Sequence, residues 1–346
     1  MARAAIVVLT FNTERFVDSC FGSLGRARLG GAEVIAVDNG SKDGTVRAIR
    51  ERFPWVTVVE TGANLGFAGG NDIGMRRALH AGAEWVYLLN PDTEVDDGFL
   101  EEAMAVADAD PRAGAVQSLL LLDPERERVN SSGNEIHFLG FGYCGGYRTL
   151  RGEAPRAPRE IAFASGAASL WRAGALREVG LLDEALFLYH EDLDLGWRLR
   201  VAGWRARLAP RSVVFHHYEF SRNRQKYFFL ERNRYLVLGK NLRLRSLLVL
   251  APFLAVTELG ILAVALAAGW LPEKLRADLA LLRPSALRRL AAARREVQRT
   301  RRASDREVMS VFTPVIAFDG LEGGWIPKLL AGPMRLVWKV IRPLLG

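Results

Sequence analysis

The chain has 346 residues, 49% of them hydrophobic and 25% charged, which excludes a disordered, collagen-like or coiled-coil protein. The length leaves room for one large or two modest domains with a buried core. The net charge is +8, but residues 1–220 hold 24 basic against 30 acidic side chains, and residues 221–346 hold 23 against 9. An acidic body thus carries a strongly cationic tail, and the two parts should meet different partners. Cys20 and Cys144 are too few for a disulfide framework or a zinc cluster and fit a reducing compartment. The first apolar run is about six residues long, short for a signal peptide, and reads as a buried strand.

In chain order, the run at 4–10 predicts a strand and 13–29 a helix. Residues 32–39 predict a second strand, closed by the turn cluster NGSKDG, and 43–52 a helix with Asp43 or Ser41 as N-cap. A third strand follows at 56–61, a helix at 66–81 behind a glycine-rich entry, and a fourth strand at 85–92. Continuous apolar strands alternating with helices predict a parallel sheet covered on both faces. The stretch 123–160 is loop-rich, with Gly140, Gly142, Gly145 and Gly146 interleaved among aromatics. It reads either as a lid or acceptor contact or as a plain surface excursion. Helices are predicted at 173–179 and 191–202, stopped by Gly180 and Gly203, and strand pieces at 205–210 and 212–217.

Ligands of such sheets sit at the carboxyl ends of the strands. Those ends read Thr10-Phe11-Asn12, Asp38-Asn39-Gly40, Thr61 to Asn64, and Asn90-Pro91-Asp92. Turn chemistry explains any one of them, but four together predict a site. Asp92 is placed to bind a hard divalent cation bridging a diphosphate, and Asp38 to accept hydrogen bonds from a base or ribose. His190-Glu191-Asp192-Leu193-Asp194 puts acids at a helix start, either as an ordinary acidic first turn or as a general base. His216 and His217 end an apolar strand and point to opposite faces, so at most one faces Asp92. An imidazole with a carboxylate makes a metal set; a structural histidine is the alternative. NLGFAGGNDIG at 64–74 lacks the G-x-G-x-x-G spacing, which disfavours a nicotinamide dehydrogenase. Its glycines would let backbone N–H groups approach a phosphate before a helix N-terminus.

The order TFNTE, VDNGSKDGT, NLGFAGGNDIG, LLNPDTEV, SGAASLWR, GLLDEALFLYHEDLDLGWRLRVAGWR and then HH before Ser221 resembles family 2 glycosyltransferases, rhamnosyltransferase-like branch, over residues 4–240. The resemblance implies a GT-A fold: α/β, Rossmann-like, with a mostly parallel central sheet and flanking helices, over 1–240. It implies a nucleotide-diphosphate sugar donor and a single inverting displacement. By the same resemblance Thr10, Asn12, Glu14 and Asp38 line the nucleotide, with Asn64, Gly66 and Asn71 nearby. Asp92 is the retained metal-binding aspartate of a D-x-D motif whose first position is Asn90 here. His216, five residues before Ser221, completes the metal or diphosphate contact. Asp192, second of the pair with Glu191, is the base, and Gly166 and Ala167 shape the sugar and acceptor site. The implied cofactor is Mg²⁺ or Mn²⁺.

Residues 246–271 carry one charge, Glu258, in a stretch long enough to span a bilayer, with Pro252 interrupting its first half. A single span, two interfacial helices, or a bundle buried in the protein all fit, with the interfacial helices preferred because Glu258 lies mid-stretch. Arg283, Arg288, Arg289, Arg294, Arg295, Arg299, Arg301 and Arg302 follow, then a helix mixing Trp325 and Trp338 with Lys328, Arg335, Lys339 and Arg342. Basic, Trp-bearing amphipathic helices lie in the headgroup layer, so 241–346 predicts contact with an anionic membrane surface and no nucleic acid. The composite expectation is a peripheral or monotopic enzyme on the cytoplasmic face of the membrane. It would move L-rhamnose from dTDP-L-rhamnose to a polyprenyl-diphosphate-linked saccharide during cell-envelope polysaccharide biosynthesis. A UDP-hexose or UDP-N-acetylhexosamine donor, and a catalytically inactive membrane scaffold, are the alternatives; a homodimer is left open.

Overall fold

Seven consecutive buried residues, Ala4–Thr10, form the first strand, β1. Ile6 and Val8 pack to one side of it and Ala5, Val7 and Leu9 to the other, because helices cover both faces of the sheet. The computed structural model describes residues 3–218, 224–315 and 325–346, with side chains from 332 onward in the last segment. The predicted contact at Ser221 and the Trp325 and Lys328 side chains lie outside the described residues. The chain divides into two units: Met1–Asn134 with Cys144–Leu199 and Trp204–Glu219, and Glu135–Tyr143 with Arg200–Gly203 and Phe220–Gly346.

After β1 come α1 (Val17–Arg26), β2 (Glu33–Asp38), α2 (Thr45–Arg52), β3 (Thr57–Glu60), α3 (Gly66–His80), β4 (Trp85–Leu89), β5 (Thr93–Val95), α4 (Phe99–Ala109) and β6 (Ala113–Leu122). Short strands β7 (Val129–Ser131), β8 (Asn134–Ile136), β9 (Gly142–Cys144) and β10 (Arg159–Ile161) occupy the loop-rich stretch. Then follow β11 (Ala168–Arg172), α5 (Ala173–Val179), α6 (Glu191–Val201) and β12 (Arg205–His216). The main sheet runs β10-β12-β6-β11-β4-β1-β2-β3, with β5 on β12 and β7 on β6. β8 and β9 form a separate two-stranded ribbon.

The parallel expectation holds across β3, β2, β1 and β4. Beyond β4 the sheet is mixed: β11 enters antiparallel between β4 and β6, and β12 runs parallel to β6 but antiparallel to β5 and β10. These reversals build the site. Ala168 lies opposite Leu89, which brings 166–167 to the carboxyl end of β4. His216 lies opposite Thr93, which brings the end of β12 beside Asp92.

The two predicted strand pieces at 205–217 are one strand with a register shift between Ala209 and Val213, around Pro210, which cannot donate to the ladder. The predicted helix at 13–29 begins as a 3₁₀ turn, Glu14–Phe16, and ends at Arg26. The N-cap of α2 is Gly44, neither Asp43 nor Ser41. Asp43 acts one position earlier, its Oδ1 accepting the Thr45 N–H at 3.1 Å and the Thr45 hydroxyl at 2.6 Å.

The second unit is helical: α7 (Gln225–Asn241), α8 (Leu244–Ala267), α9 (Leu271–Leu281), α10 (Pro284–Thr300), α11 (Asp305–Val308) and α12 (Trp325–Ile341). Pro252 lies inside α8 and does not break it. Among the described residues α8 alone is long and apolar enough to cross a membrane, by length and composition.

Candidate active site

The strand ends of β1, β2 and β3 form one hydrogen-bonded cluster around Asp38, which is buried. Its Oδ2 accepts the backbone N–H of Gly40 (3.2 Å) and Ser41 (3.0 Å), and its Oδ1 accepts the hydroxyls of Ser41 (2.5 Å) and Thr10 (3.2 Å). Asn12 has a φ of 53° and its Oδ1 accepts the Lys42 N–H at 2.7 Å, while Glu14 Oε2 accepts the Gly44 N–H at 3.0 Å. Thr10, Asn12, Glu14 and Asp38 therefore share one rim, held by the 40–45 turn.

Asn39 joins that rim to the next strand end. Its Nδ2 donates to Asn64 Oδ1 (3.1 Å) and Gly66 O (3.0 Å), and its Oδ1 accepts the Leu65 N–H at 2.9 Å. The first N–H groups of α3 are already taken: Gly66 N by Asn64 Oδ1 at 2.9 Å, Phe67 N and Ala68 N by Phe187 O at 2.7 and 3.3 Å. The glycine-rich entry is thus no open phosphate cradle. Gly66 is required for close approach: its φ is +76°, and a Cβ there would fall 2.4 Å from Phe187 O. Asn71 is buried along α3, its Nδ2 donating to Phe67 O at 3.0 Å, away from that rim.

A second chain of contacts starts at Asp192, in the first turn of α6. Its Oδ2 accepts the Gly166 N–H at 2.9 Å and its Oδ1 the Leu193 N–H at 2.7 Å. Ala167 O accepts the Asn90 N–H at 2.9 Å. Asn90 O in turn accepts the Thr93 hydroxyl at 2.7 Å, closing the turn that presents Asp92. Asp192, Gly166, Ala167, Asn90 and Asp92 are therefore linked through a few backbone bonds. Asp192 is flanked by strained backbone, with φ of 64° at Phe187, 65° at Tyr189 and 69° at His190.

Glu191 and Asp192 differ in their support. Glu191 is buried, and its Oε2 has no hydrogen-bond partner among the described residues. Burial, then the Asp192 charge, pushes the Glu191 carboxyl well above the ordinary range. Burial also raises Asp192, but two backbone N–H groups oppose the shift. Burial thus raises both carboxyls, that of Glu191 further than that of Asp192. The Cys20 thiol near Asn90 O (3.9 Å) is pushed up by burial and offers no thiolate.

The two histidines part as strand geometry requires. His216 Nε2 lies 3.4 Å from Asp92 Oδ1, and His217 Nε2 lies 2.5 Å from Asp123 Oδ2. Asn130, buried in β7, meets His216 Nδ1 at 2.9 Å through its Oδ1. With that oxygen as acceptor Nδ1 donates, and Nε2 is the ring atom that faces Asp92. Asp92 Oδ1 is itself buried with no hydrogen-bond partner among the described residues. An imidazole nitrogen facing an unpartnered carboxylate oxygen is a donor set that fits a divalent cation. Glu94, Asp123 and His217 also bring ligand atoms within 4.8 Å of one another. There, however, Arg126 already donates to Glu94 and Asp123, both at 2.8 Å, and supplies the positive charge.

Sequence reasoning missed Asn39, Asn130 and Arg126. Asn39 sat in a strand-end motif that also reads as turn chemistry; nothing local marks Asn130, which meets His216 from β7, or Arg126, which lies between β6 and β7 and donates to Glu94 and Asp123.

The family model described as "Glycosyl transferase family 2" matches residues 5–180. An N-acetylglucosaminyl-diphospho-decaprenol L-rhamnosyltransferase of Mycobacterium tuberculosis is 32% identical over 242 residues, covering 63% of this chain and 77% of its own. The low-salt glycan biosynthesis hexosyltransferase Agl10 of Haloferax volcanii is 24% identical over 202 residues, covering 57% of this chain and 61% of its own. Among solved structures, the mannosyltransferase PcManGT of Pyrobaculum calidifontis, in complex with GDP-Man and Mn²⁺, superposes with a TM-score of 0.52 at 19% identity, covering 86% of this chain and 85% of that one. GalNAc-T7 with UDP, GalNAc and Mn²⁺ superposes with a TM-score of 0.54 at 15% identity over 69% of this chain, which spans 48% of that chain's length. These last two show the fold alone. The chain belongs to glycosyl transferase family 2: it is a glycosyltransferase of the GT-A fold, similar to rhamnosyltransferases.

Proposed function

We propose that this enzyme transfers L-rhamnose from dTDP-L-rhamnose, with inversion, to a polyprenyl-diphosphate-linked saccharide ending in N-acetylglucosamine. The observation that carries the reading is the backbone-linked path from Asp192 through Gly166, Ala167 and Asn90 to Asp92, in a chain 32% identical to a rhamnosyltransferase of that acceptor class. Residues 1–240 are the catalytic domain, and 241–346 hold it on the cytoplasmic face of an anionic membrane, where such an acceptor resides.

In this reading the rim of Thr10, Asn12, Glu14 and Asp38 binds the nucleoside, with Asn64 and Gly66 beside it. Gly166 and Ala167 bound the sugar and acceptor pocket. Asp92 and His216 would hold Mg²⁺ or Mn²⁺, which supplies charge neutralisation for the departing diphosphate. The acceptor hydroxyl oxygen bonds to the anomeric carbon while the bond from that carbon to the diphosphate oxygen breaks, its electron pair leaving with the nucleoside diphosphate. Asp192 takes the hydroxyl proton in concert with attack, since a carboxylate is too weak a base to remove it beforehand. In-line attack inverts the centre.

The test is a transfer assay offering dTDP-rhamnose, UDP-glucose, UDP-N-acetylglucosamine and GDP-mannose, each with Mg²⁺ and a polyprenyl-diphosphate N-acetylglucosamine acceptor. Product with dTDP-rhamnose is expected. Product only with a UDP-sugar would replace the donor, and no product with any donor would return the chain to an inactive scaffold.

A further inference from the structure

α8 is an inside-out helix. Its exposed positions recur at helical spacing, Leu244, Leu248, Ala251, Ala255, Leu259 and Ala263, with Val256 beside them 70% exposed; beyond Arg245, exposed in the first turn, this face is apolar. Ser246 and Glu258 turn the other way. Ser246 is buried and its hydroxyl accepts the Gly346 N–H at 3.3 Å. Glu258 accepts the Tyr235 hydroxyl at 2.5 Å and pairs with Arg234 at 3.3 Å and with the fully buried Lys274. Lys274 also pairs with Asp278 at 2.6 Å, and Arg234 with Glu231 at 2.9 Å. The mid-helix carboxylate is therefore the inner anchor of α8, bound to both α7 and α9.

That anchor decides between spanning and lying flat. At 1.5 Å per residue the helix is about 36 Å long, enough to cross a bilayer. In a crossing helix Glu258 would stand near the hydrocarbon centre. It would have to draw Arg234, Glu231, Lys274 and Asp278 with it on two helices rich in charge, or leave them unpaired. The first turn of α8 is tied to the same unit as well, with the Arg243 N–H donating to Asp305 Oδ2 at 2.7 Å. Both halves of the helix are held along its polar side.

We propose that α8 lies in the membrane plane, its outward face sunk into one leaflet of an anionic bilayer. The inference rests on the reading of 241–346 as membrane-associating and adds its orientation and its contact face. Charge complementarity names the occupant: Arg276 on α9, Arg283 at the N-cap of α10 and Arg288, Arg289 and Arg295 on α10 are exposed, and the one exposed acid of α10, Glu296, is paired with Arg299 at 3.0 Å. Arg294 and Arg301 are not part of that surface. Arg294 donates to Gly239 O and Leu242 O at 2.6 and 2.5 Å, and Arg301 caps Asn241 O and pairs with Asp305 at 2.9 Å.

The test uses the full chain in a Cys144→Ser background, leaving buried Cys20 in place. Single cysteines at Leu248, Val256 and Ala263 are labelled with an environment-sensitive fluorophore on vesicles of equal parts phosphatidylglycerol and phosphatidylcholine. Depth is read with lipids carrying quenchers at set positions. The expected result is one shallow depth for all three, ~5–10 Å below the headgroups. Graded depths with Val256 deepest, near the ~15 Å mid-plane, would overturn the flat orientation while leaving membrane association standing. No binding to the vesicles would overturn both. Val256→Glu, at an exposed position that costs the fold little, should weaken vesicle affinity on the order of tenfold. A dimer in vesicle-free solution that this substitution splits would give the face to a second copy and overturn the proposal.

Discussion

At the residue scale, the division of labour between neighbouring carboxyls is set by backbone N–H groups. Asp192 accepts the Gly166 and Leu193 N–H groups while Glu191 Oε2 has no hydrogen-bond partner among the described residues, and burial raises the Glu191 carboxyl further than that of Asp192 although both are acids at one helix start. Asp192→Asn keeps the shape and the Gly166 contact but removes the basic lone pair. We expect kcat to fall by ~10²–10⁴ with donor affinity intact in calorimetry; turnover near the parent's would remove Asp192 from the role of base. Asn130 is the corresponding device for His216. Replacing it by Ala frees the ring to flip or retautomerise, and Mn²⁺ affinity read by the electron paramagnetic resonance of free Mn²⁺ should drop ~10-fold or more. Asn130→Asp, still an acceptor at Nδ1, should restore it. Equal affinity in all three proteins would show that Asn130 does not orient the ring.

At the element scale, α3 and the segment before α6 depend on each other. Gly66 admits Phe187 O against the α3 N-terminus, and Asp72 Oδ1, further along α3, accepts the Leu182 N–H at 3.0 Å. Burial pushes the Asp72 carboxyl up to about 7, against the opposing effects of that N–H and of Arg76. Its folded pKa thus exceeds its unfolded value, so the folded state holds the proton more tightly. As pH rises from about 4 to 7 the unfolded chain loses that proton first, and stability falls by ~2–4 kcal/mol before levelling off. Asp72→Asn keeps an oxygen for Leu182 and should flatten this part of the melting-temperature profile between pH 4.5 and 7.5. A mutant profile parallel to the parent's would assign the slope elsewhere.

For the molecule as a whole, the charge asymmetry maps onto structure unevenly. In the first unit, acids anchor backbone turns, as Asp38 and Asp192 do, or pair with arginines, as Asp194 does with Arg198 at 2.8 Å. In the second, Arg234, Arg294 and Arg301 hold helices together, while Arg283, Arg288, Arg289 and Arg295 are exposed at and along α10. Vesicle binding should therefore weaken steeply with added salt, because exposed charges are screened within ~8–10 Å at physiological ionic strength. Sedimentation with phosphatidylglycerol vesicles at low and high NaCl measures this; insensitivity to salt would leave only the apolar face of α8 as the attachment.

The sequence by itself determined the alternating elements, the four polar strand ends, the acid pair and the opposed histidines. Each follows from local periodicity: burial on both faces makes continuous apolar strands, and the period of two separates His216 from His217. Tertiary structure alone decided the rest. The antiparallel entry of β11 carries Gly166 and Ala167 to Asn90, and the pairing of β12 with β5 sets His216 beside Asp92; neither register is encoded within a single segment. The α3 N–H groups that looked open are closed by Phe187, 120 residues away. Glu258, which in sequence interrupts a membrane-length apolar run, is in three dimensions the residue that turns that run's apolar face outward, because Lys274 and Arg234 lie where only packed helices can bring them.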